Sequence, residues 1–297
     1  MKINKSSNIE SSAHLTPHQV EQLQDEILQN QSYQLAYEDK DFLSSDDLRP
    51  VRLQLELLKP EQALRDKNIN STIVIFGSAR ILSPDDAQEQ CQQVQQKVKD
   101  NPSDTQAQIA LIKAQRQVKQ SKYYQEAQKL ARIVSLQFQQ QNRKDFVVVT
   151  GGGPGIMEAA NRGAFDVKQH SVGFNITLEH EQAPNPYINP DLCFQFQYFA
   201  LRKMHFLLRA KALVAFPGGF GTLDEVFEVL TLVQTKKMER LPIILLGKEY
   251  WQQVINFEYL QQEGFIHVDD LALFHLIDTA EQAVEVMVDF YHGQPPK

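Results

Sequence analysis

Short, unbroken apolar runs that end at glycine recur along this chain with helical spacing between them, and that alternation dictates its layers. STIVIFGSAR (71–80) carries Ile73 to Phe76 into Gly77-Ser78, and DFVVVTGGGPG (145–155) runs into a glycine loop. SVGFNI (171–176), KALVAFPGG (211–219) and LPIILLG (241–247) repeat the theme. Strands without polar alternation are buried on both faces, as in a parallel sheet covered by helices. The intervening segments supply those helices: Ala127, Leu130, Ala131 and Val134 keep helical spacing, IMEAANRGAF follows the glycine loop, and further helices are expected at about 202–211 and 222–236.

The fold class is therefore α/β: a Rossmann-like, doubly wound parallel sheet with helices on both faces. The closing segments, EYWQQVINFEYLQQEGFI and TAEQAVEVMVDFYHG, read as packing helices, with Trp251 in the core. Ahead of this domain, assigned to 71–297, stands an N-terminal extension, 1–70. Its first 13 residues are Ser- and Asn-rich and expected to be disordered. Thr16-Pro17 then opens a helix bearing Val20, Leu23 and Ile27. Residues 84–121 read as a helical hairpin inserted into the first crossover, broken at NPSD (101–104) and restarted by the capping pattern Ser103-x-x-Gln106.

Charge and cysteine usage narrow the function classes. The 297 residues carry 30 Lys and Arg against 37 Asp and Glu, a net charge of -7, with no dense basic run, which argues against nucleic acid as a partner. Cys91 and Cys193 stand far apart outside any CxxC context and read as reduced thiols, fitting a cytoplasmic location. No apolar run approaches the roughly 18 residues of a membrane span, so no membrane partner is expected. The 8 histidines form no H-x-x-x-H pair on a helix and no Cys/His cluster, so no metal is expected.

In a doubly wound sheet the ligand sits beyond the carboxyl ends of the strands. The loops gathered there are Gly77-Ser78, Gly151 to Gly155 with Gly152 and Gly153 at its centre, and Pro217 to Thr222. Neither glycine-rich loop completes the dinucleotide fingerprint, because its third glycine is replaced by Glu158 or Asp224. No Walker lysine is present either. A smaller anion remains: Gly218, Gly219, Gly221 and the Thr222 hydroxyl could hold one phosphate at a helix start. The alternative is that these glycines serve only tight strand-to-helix turns.

With Thr222 taken as the start of the helix, Glu225 falls in its first turn, where the helix dipole helps keep a carboxylate ionised. Such a group beside a sugar could stabilise an oxocarbenium-like transition state or activate water; a plain helix-start acid is the competing reading. Asp224 is read as a helix-start acid. Arg202 and Lys203 open the preceding helix, where cations oppose the dipole, and so suit a site role. Arg209 and Lys211, later in that helix, read as surface charges.

GGGPGIMEAANRGA (151–164), Arg202-Lys203 and PGGFGTLDE (217–225) together resemble the LOG family of cytokinin riboside 5′-monophosphate phosphoribohydrolases, in particular its longer bacterial members. The resemblance covers roughly 70–270. It implies cofactor-free hydrolysis of the N-glycosidic bond of a nucleoside 5′-monophosphate to free base and ribose 5-phosphate. It also implies Arg202 and Glu225 as the catalytic pair, the Gly218 to Thr222 loop as phosphate cradle, Lys203, Thr231 and Glu181 as further substrate contacts, and a homodimer or larger homo-oligomer. Many relatives carry the label lysine decarboxylase, yet nothing in this sequence picks out a Schiff-base lysine for pyridoxal chemistry. A non-catalytic nucleotide-binding or carrier protein on the same fold is the alternative.

Overall fold

The computed structural model describes residues 15–139, 143–177, 183–294 and 296. They fall into two compact units, divided after Leu55.

The N-terminal unit contains α1 (Pro17–Leu28), α2 (Lys40–Ser44) and the start of α3 (Arg49–Asp66). Thr16 caps α1 in a capping box with Gln19, with Pro17 in the first turn, as the Thr-Pro pair predicts. Val20, Leu23 and Ile27 all stay exposed. The boundary lies earlier than the expected residue 70, because the second half of α3 belongs with the sheet. Leu64 is buried in the core of the second unit, and Glu61 pairs with Arg209 there.

In the second unit, β1 (Thr72–Phe76) is followed by α4 (Pro84–Asp100), α5 (Thr105–Gln120) and α6 (Lys122–Phe138), then β2 (Val147–Thr150) and α7 (Ile156–Asp166). The chain continues through β3 (Ser171–Ile176), β4 (Cys193–Phe196), α8 (Phe199–Leu208), β5 (Ala210–Ala215), α9 (Phe220–Gln234) and β6 (Ile243–Leu246). It closes with α10 (Lys248–Val254), α11 (Phe257–Gln262), β7 (Phe274–Ile277) and α12 (Ala280–Phe290). The hairpin α4–α5 does sit in the first crossover. Its restart is capped by Asp104, whose side chain accepts from Gln106 N and Ala107 N, whereas Ser103 turns its hydroxyl to Asn101. A carboxylate one residue nearer the helix reaches those amides better than Ser103 can.

All strand pairs are parallel, in the order β4-β3-β2-β1-β5-β6-β7. Strand order reverses between β1 and β5, which makes their carboxyl ends the switch point of the sheet. The period-2 pleat splits each central strand between two cores: Ile73 and Ile75 face α6, α7 and α12, whereas Val74 and Phe76 face α3, α8, α9 and α10. Trp251, fully buried, belongs to the second core and donates its indole N–H to Leu246 O. Lys211 lies in β5, not in a helix, since α8 already ends at Leu208. Arg209 is no free surface charge: it binds Glu61 at 2.9 Å and Ile69 O at 2.8 Å. No described helix is long and apolar enough to cross a membrane.

Candidate active site

A cavity of about 650 Å³ opens at the switch point. The loops after β1 and β5 form its floor and are tied together: Phe216 N donates to Phe76 O at 2.8 Å and Ser78 N to Pro217 O at 3.0 Å. Gly155, at φ +73°, lets the third loop close in; a Cβ there would lie 2.4 Å from Ser78 O. Ile156 N completes the brace by donating to that same carbonyl.

One wall is the start of α9. The helix begins at Phe220, two residues before the expected Thr222, because Leu223 N already reaches back to Gly219 O. Gly219 is the N-cap and supplies no side-chain acceptor, which leaves the first amides of the helix available to an anion. Gly219 and Gly221 border open space, whereas Gly218 lies so close to Thr222 that a Cβ would meet Oγ1 at 2.1 Å. Tyr250 pins the loop by donating its hydroxyl to Gly218 O.

Because α9 starts early, Glu225 sits in the second turn, and the expectation that the dipole keeps it ionised is overturned. It is 7% exposed, and its Oε2 is buried without a hydrogen-bond partner. Burial pushes its pKa up to about 7; Lys203 and Arg202 pull it down, while Glu228 and Asp224 push it further up. A carboxyl group that exchanges its proton near neutrality is matched to acid–base work.

Arg202, on α8, lines the same cavity. Its Nε donates to Phe174 O at 2.7 Å, its guanidinium lies 5.2 Å from the Phe206 ring centre, and it packs so tightly on Gly151 that a Cβ there would be 2.5 Å from Nη2. Burial lowers its pKa and Glu225 opposes this, but a guanidinium stays protonated. The cations of α8 are tolerated near its N-terminus because Glu56 supplies a carboxylate there, accepting from Gln197 N and Tyr198 N.

Other expected residues are placed differently. Lys203 faces Asp224 at 2.9 Å and Glu228 at 3.0 Å rather than the cavity, so Asp224 is an ion-pair partner more than a helix-start acid. Thr231 lies outside the cavity, donating to Phe227 O along α9 and bordering a small apolar depression. It is two turns beyond Thr222, too far along the helix to return to the cradle. Gly77, Ser78, Gly218, Gly219, Gly221 and Thr222 line the cavity, and of the triple glycine only Gly151 does. Gly152 and Gly153 instead anchor a buried network: Asn185 donates to both of their carbonyls and to Asn161 Oδ1, which also accepts from Thr150. Glu181 lies outside the described residues. Sequence reasoning missed Arg80, Phe199 and Met157 in the lining; Arg80 at least stands in the FGSAR string already assigned to this edge.

The family model described as "Possible lysine decarboxylase" matches residues 157–287. A probable cytokinin riboside 5′-monophosphate phosphoribohydrolase of Oryza sativa subsp. japonica is 24% identical over 159 residues, 50% of this chain and 71% of that protein. A cytokinin riboside 5′-monophosphate phosphoribohydrolase of Arabidopsis thaliana is 26% identical over 147 residues, 48% and 68% of the two chains. Over these segments the chain is similar to the LOG family. A second Arabidopsis member of this LOG group is 39% identical over 67 residues, 22% of this chain and 30% of its own. The X-ray structure of TM1055 aligns with 74% of this chain and 99% of its own, at 19% identity and a TM-score of 0.45. The decarboxylase label finds no anchor at the switch point. Arginines line the cavity but no lysine does among the described residues, so a pyridoxal group has no Schiff-base partner there.

Proposed function

We propose that this protein hydrolyses the N-glycosidic bond of nucleoside 5′-monophosphates. Water adds to C1′ of the ribose, the bond from C1′ to the base nitrogen breaks, and free base and ribose 5-phosphate leave. The observation that carries the reading is Glu225: a buried carboxyl group with an unpartnered oxygen, poised near neutral pH, one turn from an uncapped helix start.

The α9 amides and the Thr222 hydroxyl hold the phosphate. That fixes the ribose within reach of Glu225, whose carboxylate takes a proton from the attacking water and faces the positive charge developing on the ring. Arg202 keeps its Nη groups for the substrate, since its Nε alone is occupied by Phe174 O. Those donors steady the electron pair that the departing base receives; the base then takes up a proton from solvent and Glu225 returns its own to solvent. The relatives named above as phosphoribohydrolases support the same chemistry, and by resemblance the working unit is a homodimer or larger homo-oligomer.

The test is incubation with AMP and with isopentenyladenosine monophosphate, quantifying base and ribose 5-phosphate, alongside Glu225→Gln. Equimolar release that collapses in the variant is the expected result. Tight binding without turnover across a panel of monophosphates would overturn it in favour of a carrier.

A further inference from the structure

The cradle at α9 holds a phosphate by neutral donors alone, and the dianion must enter a cavity lined by Glu225 and by Asp224, the latter paired with Lys203, in a chain of net charge -7. A dianion beside a buried carboxyl group is favoured by a cation that offsets the repulsion. Neither of the two expected ones is free for the phosphate: Lys203 is ion-paired, and the Nη groups of Arg202 are assigned above to the departing base. Lys203 is bound by Asp224 and Glu228, and Arg202 sits deep, tied to Phe174 O and packed on Phe206 and Gly151.

Arg80 remains. It lines the same cavity, and among the described residues its guanidinium has no carboxylate within ion-pair distance and no hydrogen-bond acceptor. Its backbone is held in place: Arg80 N donates to Ser78 Oγ at 3.1 Å, and Ser78 N ties that turn to Pro217, next to the cradle. A fixed backbone carrying an unpaired, solvent-facing arginine beside an anion site is an arrangement that a structural role does not require. Arginine's planar fork suits two phosphate oxygens at once.

We infer that Arg80 is the counter-ion of the substrate's 5′-phosphate and the residue by which the cavity selects phosphorylated over unphosphorylated ribosides. This rests on the phosphoribohydrolase reading for its kinetic consequences, but not for its binding ones. The phosphate does not change charge as the glycosidic bond breaks, so Arg80 stabilises ground and transition states alike. Its loss therefore raises KM and leaves kcat nearly intact.

The experiment compares wild type, Arg80→Ala, Arg80→Lys and Glu225→Gln, measuring AMP hydrolysis and, by calorimetry, binding of ribose 5-phosphate and of ribose. Arg80→Ala is expected to raise KM and weaken ribose 5-phosphate binding on the order of 10- to 100-fold, the worth of a charged hydrogen-bond pair. Ribose binding should not change, Arg80→Lys should recover part of the loss, and the melting temperature should stay put because the side chain is exposed. If wild type hydrolyses AMP and Arg80→Ala leaves both KM and ribose 5-phosphate binding unchanged, or lowers kcat alone, the assignment of Arg80 is wrong and the hydrolase reading stands. If nothing is hydrolysed yet ribose 5-phosphate binding still depends on Arg80, the reverse holds. Wild type that neither hydrolyses AMP nor binds ribose 5-phosphate overturns both.

Discussion

Arg202 and Glu225 line one cavity from adjacent helices without forming an ion pair: Arg202 spends its Nε on Phe174 O, and Glu225 keeps a buried oxygen with no partner. Pairing would hold the carboxylate ionised well below neutrality; separation lets burial raise its pKa to about 7. Since in the proposed mechanism the ionised form activates water, kcat/KM for AMP should climb as pH rises through about 7 and level off above it. A pH–rate profile of wild type checks this. A profile flat from pH 5.5 to 8.5 would mean that Glu225 does not titrate in the free enzyme.

The same buried carboxyl group makes stability depend on pH. Its folded pKa, about 7, exceeds its unfolded value of 4.5, so the folded state binds the proton more tightly. Stability is intact below the unfolded value, where the acid is neutral in both states, and is lost as pH rises through the folded value. Glu225→Gln removes the charge, so at pH 8 it should stabilise the protein by up to about 3 kcal/mol, and near pH 4.5 by little. Denaturant titrations of both proteins at the two pH values decide it. In the proposed mechanism catalysis and stability then oppose one another at a single residue, a common trade-off at functional sites.

Lys203 tunes that balance from outside the cavity. It lowers the Glu225 pKa directly, and it neutralises Asp224 and Glu228, which raise it. Lys203→Met should therefore move the rising limb of the kcat/KM profile to higher pH, while activity at pH 9 recovers toward wild type. A variant that loses activity equally at every pH would point instead to direct substrate contact, the role the family resemblance implies.

Much of this architecture was legible because central strands of a parallel sheet are wrapped on both faces, so β1, β2 and β6 read as nearly unbroken apolar runs and β3 and β5 as mainly apolar ones. The edge strands did not. β4 (CFQF) and β7 (FHLI) lie at the two ends of the sheet, where Gln195 and His275 face solvent and dilute the pattern. At the site, glycine loops and the Arg-Lys pair advertise themselves by composition. The burial of Glu225 does not, since it depends on where α9 begins and on what α8 brings against it. Arg80 was less visible: it stands in the FGSAR string, but a single loop arginine has no periodicity, and its place in the cavity lining emerges only from the fold.

The glycines of the site divide into those that fold the chain and those that leave room for a ligand, and substitution should separate them. Gly155 needs its positive φ and its contact with Ser78 O, so Gly155→Ala should destabilise the fold by on the order of 2 kcal/mol, with activity falling as the folded fraction does. Gly221 is different: it lies within α9, at no positive φ, and an added Cβ meets nothing within 4 Å. Alanine there should keep or raise stability, by up to about 1 kcal/mol from helix propensity. Gly221 nevertheless lines the cavity beside the uncapped amides, so in the proposed site its methyl group would narrow the phosphate's approach. Gly221→Ala should therefore fold at least as well as wild type and bind ribose 5-phosphate at least tenfold more weakly, the loss of about one charged hydrogen bond. Melting curves and calorimetry on the same samples test both halves, and unchanged binding in a well-folded Gly221→Ala would remove the α9 N-terminus from the phosphate site.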